Sequence, residues 1–166
     1  MSGVIDHANV QVKIDSKLLS SLDLSTPDDS LLYQILSTLS NGTGANQASQ
    51  QWSDTRTVTT GATDSLDLAG SLTNAFGVTL TFTKIKVLLV KAATNNSTTL
   101  QVTRPASNGV VLFLAAGDAI VLQAGAWLLW FDPNGIAVTA GTGDLLNIVN
   151  TAGNSANYDI VIIGTD

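Results

Sequence analysis

Chemistry in this chain would have to come from a narrow set of side chains. The sequence holds one histidine, His7, in a polar stretch near its start. Serine–histidine–aspartate hydrolysis needs an imidazole held in a cleft by a carboxylate, and nothing around His7 builds one. A hydrogen-bonded or solvent-facing His7 is the expectation. Cysteine is absent, which removes thiolate catalysis and disulfides. Zinc takes about four Cys, His or carboxylate ligands, a set this composition does not supply. All 13 acidic residues are Asp, with no Glu. Asp64-Ser65-Leu66-Asp67 and Asp132-Pro133-Asn134 are the best oxygen-donor clusters, but neither matches a calcium loop. Asp64 reads better as a turn cap, and Asp132-Pro133-Asn134-Gly135 as a β-turn. A glycosidase needs two carboxylates across a cleft; the Asp residues are scattered through turns, and the lack of Glu weighs against such a pair. Gly141-Thr142-Gly143 lacks the strand–GxxxxGK–helix setting of a phosphate loop. The expectation is therefore a protein that is not an enzyme, with no catalytic, cofactor-binding or metal-binding residues and no cofactor.

Three tryptophans, Trp52, Trp127 and Trp130, are the remaining candidates for a sugar-stacking platform. Trp127 and Trp130 are separated by an odd number, so on a regular strand they face opposite sides. At least one then belongs to a core, and a shared platform is disfavoured. Trp52 is placed to seal the start of the β-rich region.

The elements that position these residues divide the chain in two. Residues 1–46 are read as an N-terminal arm with one amphipathic helix. Val10-Gln11-Val12-Lys13-Ile14 alternates as a short strand does. Ser25 or Thr26 as cap, Pro27 in the first turn, and Asp28 and Asp29 at the positive end of the dipole predict a helix start. Leu31, Leu32, Ile35, Leu36 and Leu39 then make one stripe at helical spacing, and Asn41-Gly42 is a plausible stop. The small polar stretch from Asn41 to Gln51 reads as a linker.

Residues 47–166 are read as a β-sandwich domain. Strands are expected at Arg56–Thr60, Leu80–Lys91, Thr98–Arg104, Val110–Leu114, Ala119–Leu122, Ala126–Phe131, Ile136–Thr139, Leu145–Asn150 and Tyr158–Ile163, separated by Gly-, Asn- and Asp-rich turns. Strands this short and this regularly spaced point to an antiparallel sandwich or jelly roll. Between Phe82 and Ile85 the alternation breaks phase, which a β-bulge near Thr83 would repair. Ile160 to Ile163 are apolar on both faces, as in a central strand covered on both sides. The fold class is mainly β, an antiparallel β-sandwich or jelly roll with a short N-terminal arm and one α-helix.

Composition bounds the partners. Hydrophobic residues make up 45% and charged residues 12%, about half the usual ~25% charged share. Much of the surface is then uncharged or covered by partners. A net charge of −6 with seven Lys and Arg cannot assemble the basic footprint that nucleic acid requires. Apolar runs are too short to span a bilayer, and no signal peptide is visible, so a soluble protein made in a cytoplasm is expected.

Several short motifs in order carry a resemblance. Trp52-Ser53-Asp54-Thr55-Arg56 leads into Asp64-Ser65-Leu66-Asp67-Leu68-Ala69-Gly70 and Leu72-Thr73-Asn74-Ala75-Phe76-Gly77. Leu80-Thr81-Phe82, Lys84-Ile85-Lys86 and Val90-Lys91-Ala92 follow, and Tyr158-Asp159-Ile160-Val161-Ile162-Ile163-Gly164 closes the series. Over about residues 47–164 the chain resembles small virion proteins of tailed bacteriophages and prophages, encoded near capsid genes. None of the motifs is a chemical signature. The resemblance implies a structural role: capsid decoration, or cement, proteins of such phages are often β-sandwich or jelly-roll trimers seated on the shell. The implied partners are the major capsid protein and other copies of the chain as a homotrimer, with no nucleic acid and no membrane. The implied location is the capsid exterior of a virion assembled in the host cytoplasm.

An amphipathic helix on a linker cannot stand alone; it packs on its own β-domain or on another chain. The expected partner-binding residues are accordingly Leu31, Leu32, Ile35, Leu36 and Leu39, with Val10, Val12 and Ile14. In this expectation the β-domain trimerises while the arm and helix grip the major capsid protein. The competing reading is a tail or fibre receptor-binding module for carbohydrate, which the 5% aromatic content weakens.

Overall fold

The computed structural model describes residues 4–166, and among them every regular element is a strand. β1 (His7–Leu19) and β2 (Asp28–Asn41) form a long antiparallel ribbon. β3 (Gln47–Ala48) adds briefly to β2 in parallel, and β4 (Gln50–Val58) enters the body. Then come β5 (Thr63–Asp67), β6 (Ala69–Thr73), β7 (Thr79–Thr81), β8 (Lys84–Ala92), β9 (Leu100–Thr103), β10 (Ala119–Leu122), β11 (Trp127–Ala137), β12 (Leu145–Val149) and β13 (Ala156–Thr165).

Eight of these strands make two four-stranded antiparallel sheets, ordered β11-β8-β13-β4 and β10-β9-β12-β5. Their facing side chains form one core. Trp52, Leu88, Val90, Tyr158, Ile160 and Ile162 come from the first sheet, and Leu66, Leu100, Val102, Leu122, Leu146 and Ile148 from the second. Period-two alternation puts these residues on inner faces, and burial of so many branched side chains is the main stabilising term. β6 and β7 pair as a small separate ribbon, contributing Leu72 and Leu80 to the same core.

The expected helix over residues 27–41 is a strand. Its residues read equally well with period two, because Leu31, Tyr33, Ile35 and Leu39 alternate with Leu32, Gln34, Leu36 and Thr38. The tie is broken by the neighbour in sequence: Val10, Val12 and Ile14 on β1 offer a complementary edge, and cross-strand pairing overrides a weak helical preference. Asp28, Asp29, Ser30, Ser37, Thr38 and Ser40 add little helix propensity.

Other expectations shift in detail. The phase break between Phe82 and Ile85 is a strand break, with β7 ending at Thr81 and β8 starting at Lys84; the bulge itself falls at Lys86, where β13 steps from Ile163–Val87 to Gly164–Ile85. Asp132-Pro133-Asn134-Gly135 does not reverse the chain. It is an insertion within β11, between the Phe131–Val87 and Ile136–Ile85 pairs. The Asp132 carboxylate accepts a hydrogen bond from Asn134 N at 2.8 Å, and Gly135 sits at φ +78°, where a Cβ would lie 2.8 Å from the Ile85 carbonyl oxygen. Only glycine fits there. Residues 110–114 are irregular rather than a strand; the Arg104 guanidinium donates to the Phe113 and Leu114 carbonyls at 2.9 and 2.7 Å and shapes that loop. The stretch Asn41 to Gln51 is not a free linker, since it contains β3 and the start of β4.

Two expectations about single positions match the structure. Trp130 packs against the core while Trp127 points outward with 58% exposure. β13 is a central strand, flanked by β8 and β4.

Candidate partner-binding surface

The ribbon is built from 13 cross-strand pairs, His7–Ser40 at its base to Leu19–Asp28 near its tip. At ~3.3 Å per residue that is about 40 Å of two-stranded sheet. Backbone bonds from Ser20 N to Pro27 O and from Leu22 N to Ser25 O close the tip.

Directly paired residues share a face, so the ribbon has two distinct sides. One carries Ala8–Leu39, Val10–Ser37, Val12–Ile35, Ile14–Tyr33 and Ser16–Leu31, and is uncharged over that whole span. The other carries Asn9–Thr38, Gln11–Leu36, Lys13–Gln34, Asp15–Leu32 and Lys17–Ser30. Its charges are matched locally, Lys13 to Asp15 at 3.1 Å and Lys17 to Asp28 at 2.9 Å.

The eight expected contact residues therefore do not form one stripe. Leu31, Ile35, Leu39, Val10, Val12 and Ile14 lie on the uncharged side, and Leu32 and Leu36 on the other. Leu39 is fully buried at the base, Val10 and Val12 are half-buried, and Ile14, Leu31, Leu32, Ile35 and Leu36 are exposed. Tyr33, Leu18, Leu19, Leu22 and Leu24 are also exposed on the ribbon and its tip, and the helical reading missed them. The signal for Tyr33 was the period-two run Leu31-x-Tyr33-x-Ile35.

The base of the ribbon is anchored on the outer face of the β11-β8-β13-β4 sheet. Ile5, Ala8, Leu39, Ala48 and Val87 make a second, smaller core, flanked by Val10, Leu129, Phe131 and Ile163. Lys86, fully buried, donates from Nζ to the Gly44 carbonyl and ties β8 to the loop after β2. Burial pushes its ammonium below the ordinary range and Lys84 repels it further, against the attraction of Asp132. Asn46 N bonds to Pro133 O at 3.0 Å, joining that loop to the insertion in β11.

Beyond the anchor the ribbon and the sheet leave an open groove of about 470 Å³. One wall is ribbon, from Asn9 to Lys13; the other is sheet, from Val87, Leu89, Trp127, Leu129, Val161 and Ile163. A second cavity of about 640 Å³ lies by the N-terminal segment and includes His7, Asp54 and Asp166. There His7 Nδ1 is 2.7 Å from Asp6 Oδ2, on the exposed surface.

The most perturbed titratable cluster is Arg56, Asp64 and Tyr158. Arg56 donates to both oxygens of Asp64, and the buried Tyr158 hydroxyl donates to Asp64 Oδ2 at 2.8 Å. Burial alone would raise the Asp64 carboxyl, but the hydrogen bonds from Arg56 and Tyr158 outweigh it and hold the group below its usual range. The Tyr158 phenol is pushed up, first by burial and then by its bond to Asp64. The Arg56 guanidinium is held charged chiefly by its hydrogen bond to Asp64. Both carboxylate oxygens of Asp64 are engaged, and the triad ties β4, β5 and β13 together. Among the described residues no group of three or more His, Cys, Asp or Glu is placed to hold a metal ion, and no helix is long and apolar enough to cross a membrane.

Compared with known proteins, the chain matches no family model, no curated protein and no solved structure.

Proposed function

We propose that this protein is a non-enzymatic structural component of a phage virion, a decoration or cement protein that binds the shell of the major capsid protein and associates with its own copies as a homotrimer. The observation that carries the reading is the ribbon: ten large apolar side chains between Ile14 and Leu36 stand exposed on a projecting two-stranded element. Such a ribbon is marginal in water on its own, so it belongs in an assembly.

Two further features support the reading. The order β11-β8-β13-β4 over β10-β9-β12-β5, with the chain crossing between sheets from β4 to β5, β8 to β9, β10 to β11 and onward, fits a jelly roll, a fold that suits the resemblance to small virion proteins. The net charge of −6 disfavours nucleic acid as the partner. Repetition on a symmetric shell turns many weak contacts into strong attachment, so the location assigned is the capsid exterior.

Co-sedimentation with shells assembled from the major capsid protein of the same genome tests this directly. The protein is expected in the pellet at a fixed ratio to capsid subunits. Recovery entirely in the supernatant contradicts the proposal. Exposed Trp127 gives the carbohydrate-binding alternative its one foothold; tryptophan emission unchanged across a glycan titration is the expected result.

A further inference from the structure

We infer that the uncharged side of the ribbon and the groove at its base form the surface through which copies of this chain assemble, the ribbon of one copy covering the groove and ribbon side of another. This deepens the self-association in the proposed function and is independent of any shell.

The amount of surface requires a cover. On the uncharged side Ile14, Leu31, Tyr33 and Ile35, with Trp127 on the facing sheet wall, are each near half-exposure or above and present on the order of 500 Å², the size of patch that marks an interaction site on a single chain.

The chemistry identifies the cover as a second copy. The chain carries a net charge of −6, so copies repel unless they meet on uncharged surface. The ribbon side from Ala8 to Ser16 and from Leu31 to Leu39 is such a surface. So is the facing sheet wall of Val87, Leu89, Trp127, Leu129, Val161 and Ile163. Within one molecule these two surfaces already pack together at the base, through Leu39, Val87 and Val10. Past Lys13 the ribbon no longer lines the groove. Ile14, Tyr33, Leu31 and Trp127 are then left open, each half-exposed or more. Each surface is of the kind the other covers within the monomer, so a second copy supplies both in one contact. Such a contact is directional, ribbon to groove, and closes into a ring when its rotation allows.

The test is the solution mass of the full chain by light scattering, for wild type, Tyr33→Asp and Trp127→Asp. Both substitutions place a charge on side chains exposed in the single chain, and circular dichroism with a thermal melt reports whether the body stays folded. Wild type is expected at a multiple of 17.2 kDa, and both variants at 17.2 kDa with an unchanged melt of the body. As a second ribbon variant, Ile35→Lys repeats the measurement with the opposite charge and is expected to behave as Tyr33→Asp. A wild type that is monomeric at every concentration overturns the inference. So does a Tyr33→Asp or Trp127→Asp chain that assembles as wild type does. Loss of shell binding with the oligomer intact would count against the decoration role alone.

Discussion

Ile14 and Tyr33 are directly paired across the ribbon, and each keeps about half of its surface in water, 51% and 55%. Toward the base, the equivalent pair Ala8–Leu39 on the same side is buried against Val87. One continuous side of one element thus passes from core to solvent without changing its apolar character. The base explains why the ribbon stays attached to the body, and the distal part marks where another surface must come.

That gradient predicts opposite outcomes for similar substitutions. Leu39→Ala empties a fully buried site in the second core and should cost about 2–5 kcal/mol in chemical denaturation. Leu36→Ala, on the charged side and 62% exposed, should change stability by less than about 0.5 kcal/mol. Equal effects at the two positions would contradict the placement of the ribbon base.

The Arg56–Asp64–Tyr158 triad predicts how stability responds to mutation and pH. Asp64→Asn leaves Arg56 and the Tyr158 hydroxyl without their carboxylate. The loss should be roughly 2–3 kcal/mol, below the 3–5 of a fully buried pair because Arg56 is about a third exposed. Tyr158→Phe removes one hydrogen bond to a charged group, at about 1.5–3 kcal/mol. The Asp64 carboxyl is lowered on folding, so its contribution is present above the unfolded value near pH ~4 and is lost as pH falls through the folded value. The Tyr158 phenol is raised, so its contribution is present below about pH 10 and is lost as pH rises toward the folded value. Melting temperature against pH should show both limbs in wild type. Asp64→Asn should flatten the acid limb and Tyr158→Phe the alkaline one.

Gly164 lies where β13 steps past the bulge at Lys86. A Cβ there would overlap the Lys84 carbonyl oxygen and come within 3.0 Å of Phe82 Cδ1. Both neighbours are fixed, one by backbone and one by burial, so Gly164→Ala should cost about 3 kcal/mol, at the upper end of overpacking. An unchanged denaturation midpoint would show that this corner of the body relaxes freely.

The body was largely legible in the sequence because its strands are punctuated. Ala119–Leu122 coincides with β10, and Leu145–Asn150 and Tyr158–Ile163 fall on β12 and β13. Gly, Asn and Asp turns bound them, and one face of each alternates. Val110–Leu114 looked like a strand for the same reason, yet Arg104 captures two of its carbonyls, and only Val110 is fully buried while Leu112 and Phe113 pack at the margin of the core. The short strand β5 was hidden by its polar Thr63-Asp64-Ser65, whose value lies in the bond from Asp64 to Arg56 across the body. The ribbon was misread because Leu31 to Leu39 satisfies both periods, and pairing with distant residues, from Ser16 opposite Leu31 to Ala8 opposite Leu39, decides between them. The apolar contact residues were therefore found by type, while their division between two sides required the strand register. The sheet wall of the groove was visible only in part, through Val161 and Ile163; Leu89, Trp127 and Leu129 join it by the order of strands, which spacing does not encode.

Amide hydrogen exchange across β1 and β2 in the full-length protein tests the central claim most directly. A free two-stranded ribbon opens readily, whereas a covered one is protected like the body. The account predicts that the amides of Ile14 and Ile35 exchange as slowly as those of β13 in wild type, and that Tyr33→Asp makes them fast while β13 stays protected. Fast exchange of the distal ribbon in the wild type, with a protected body, would contradict it.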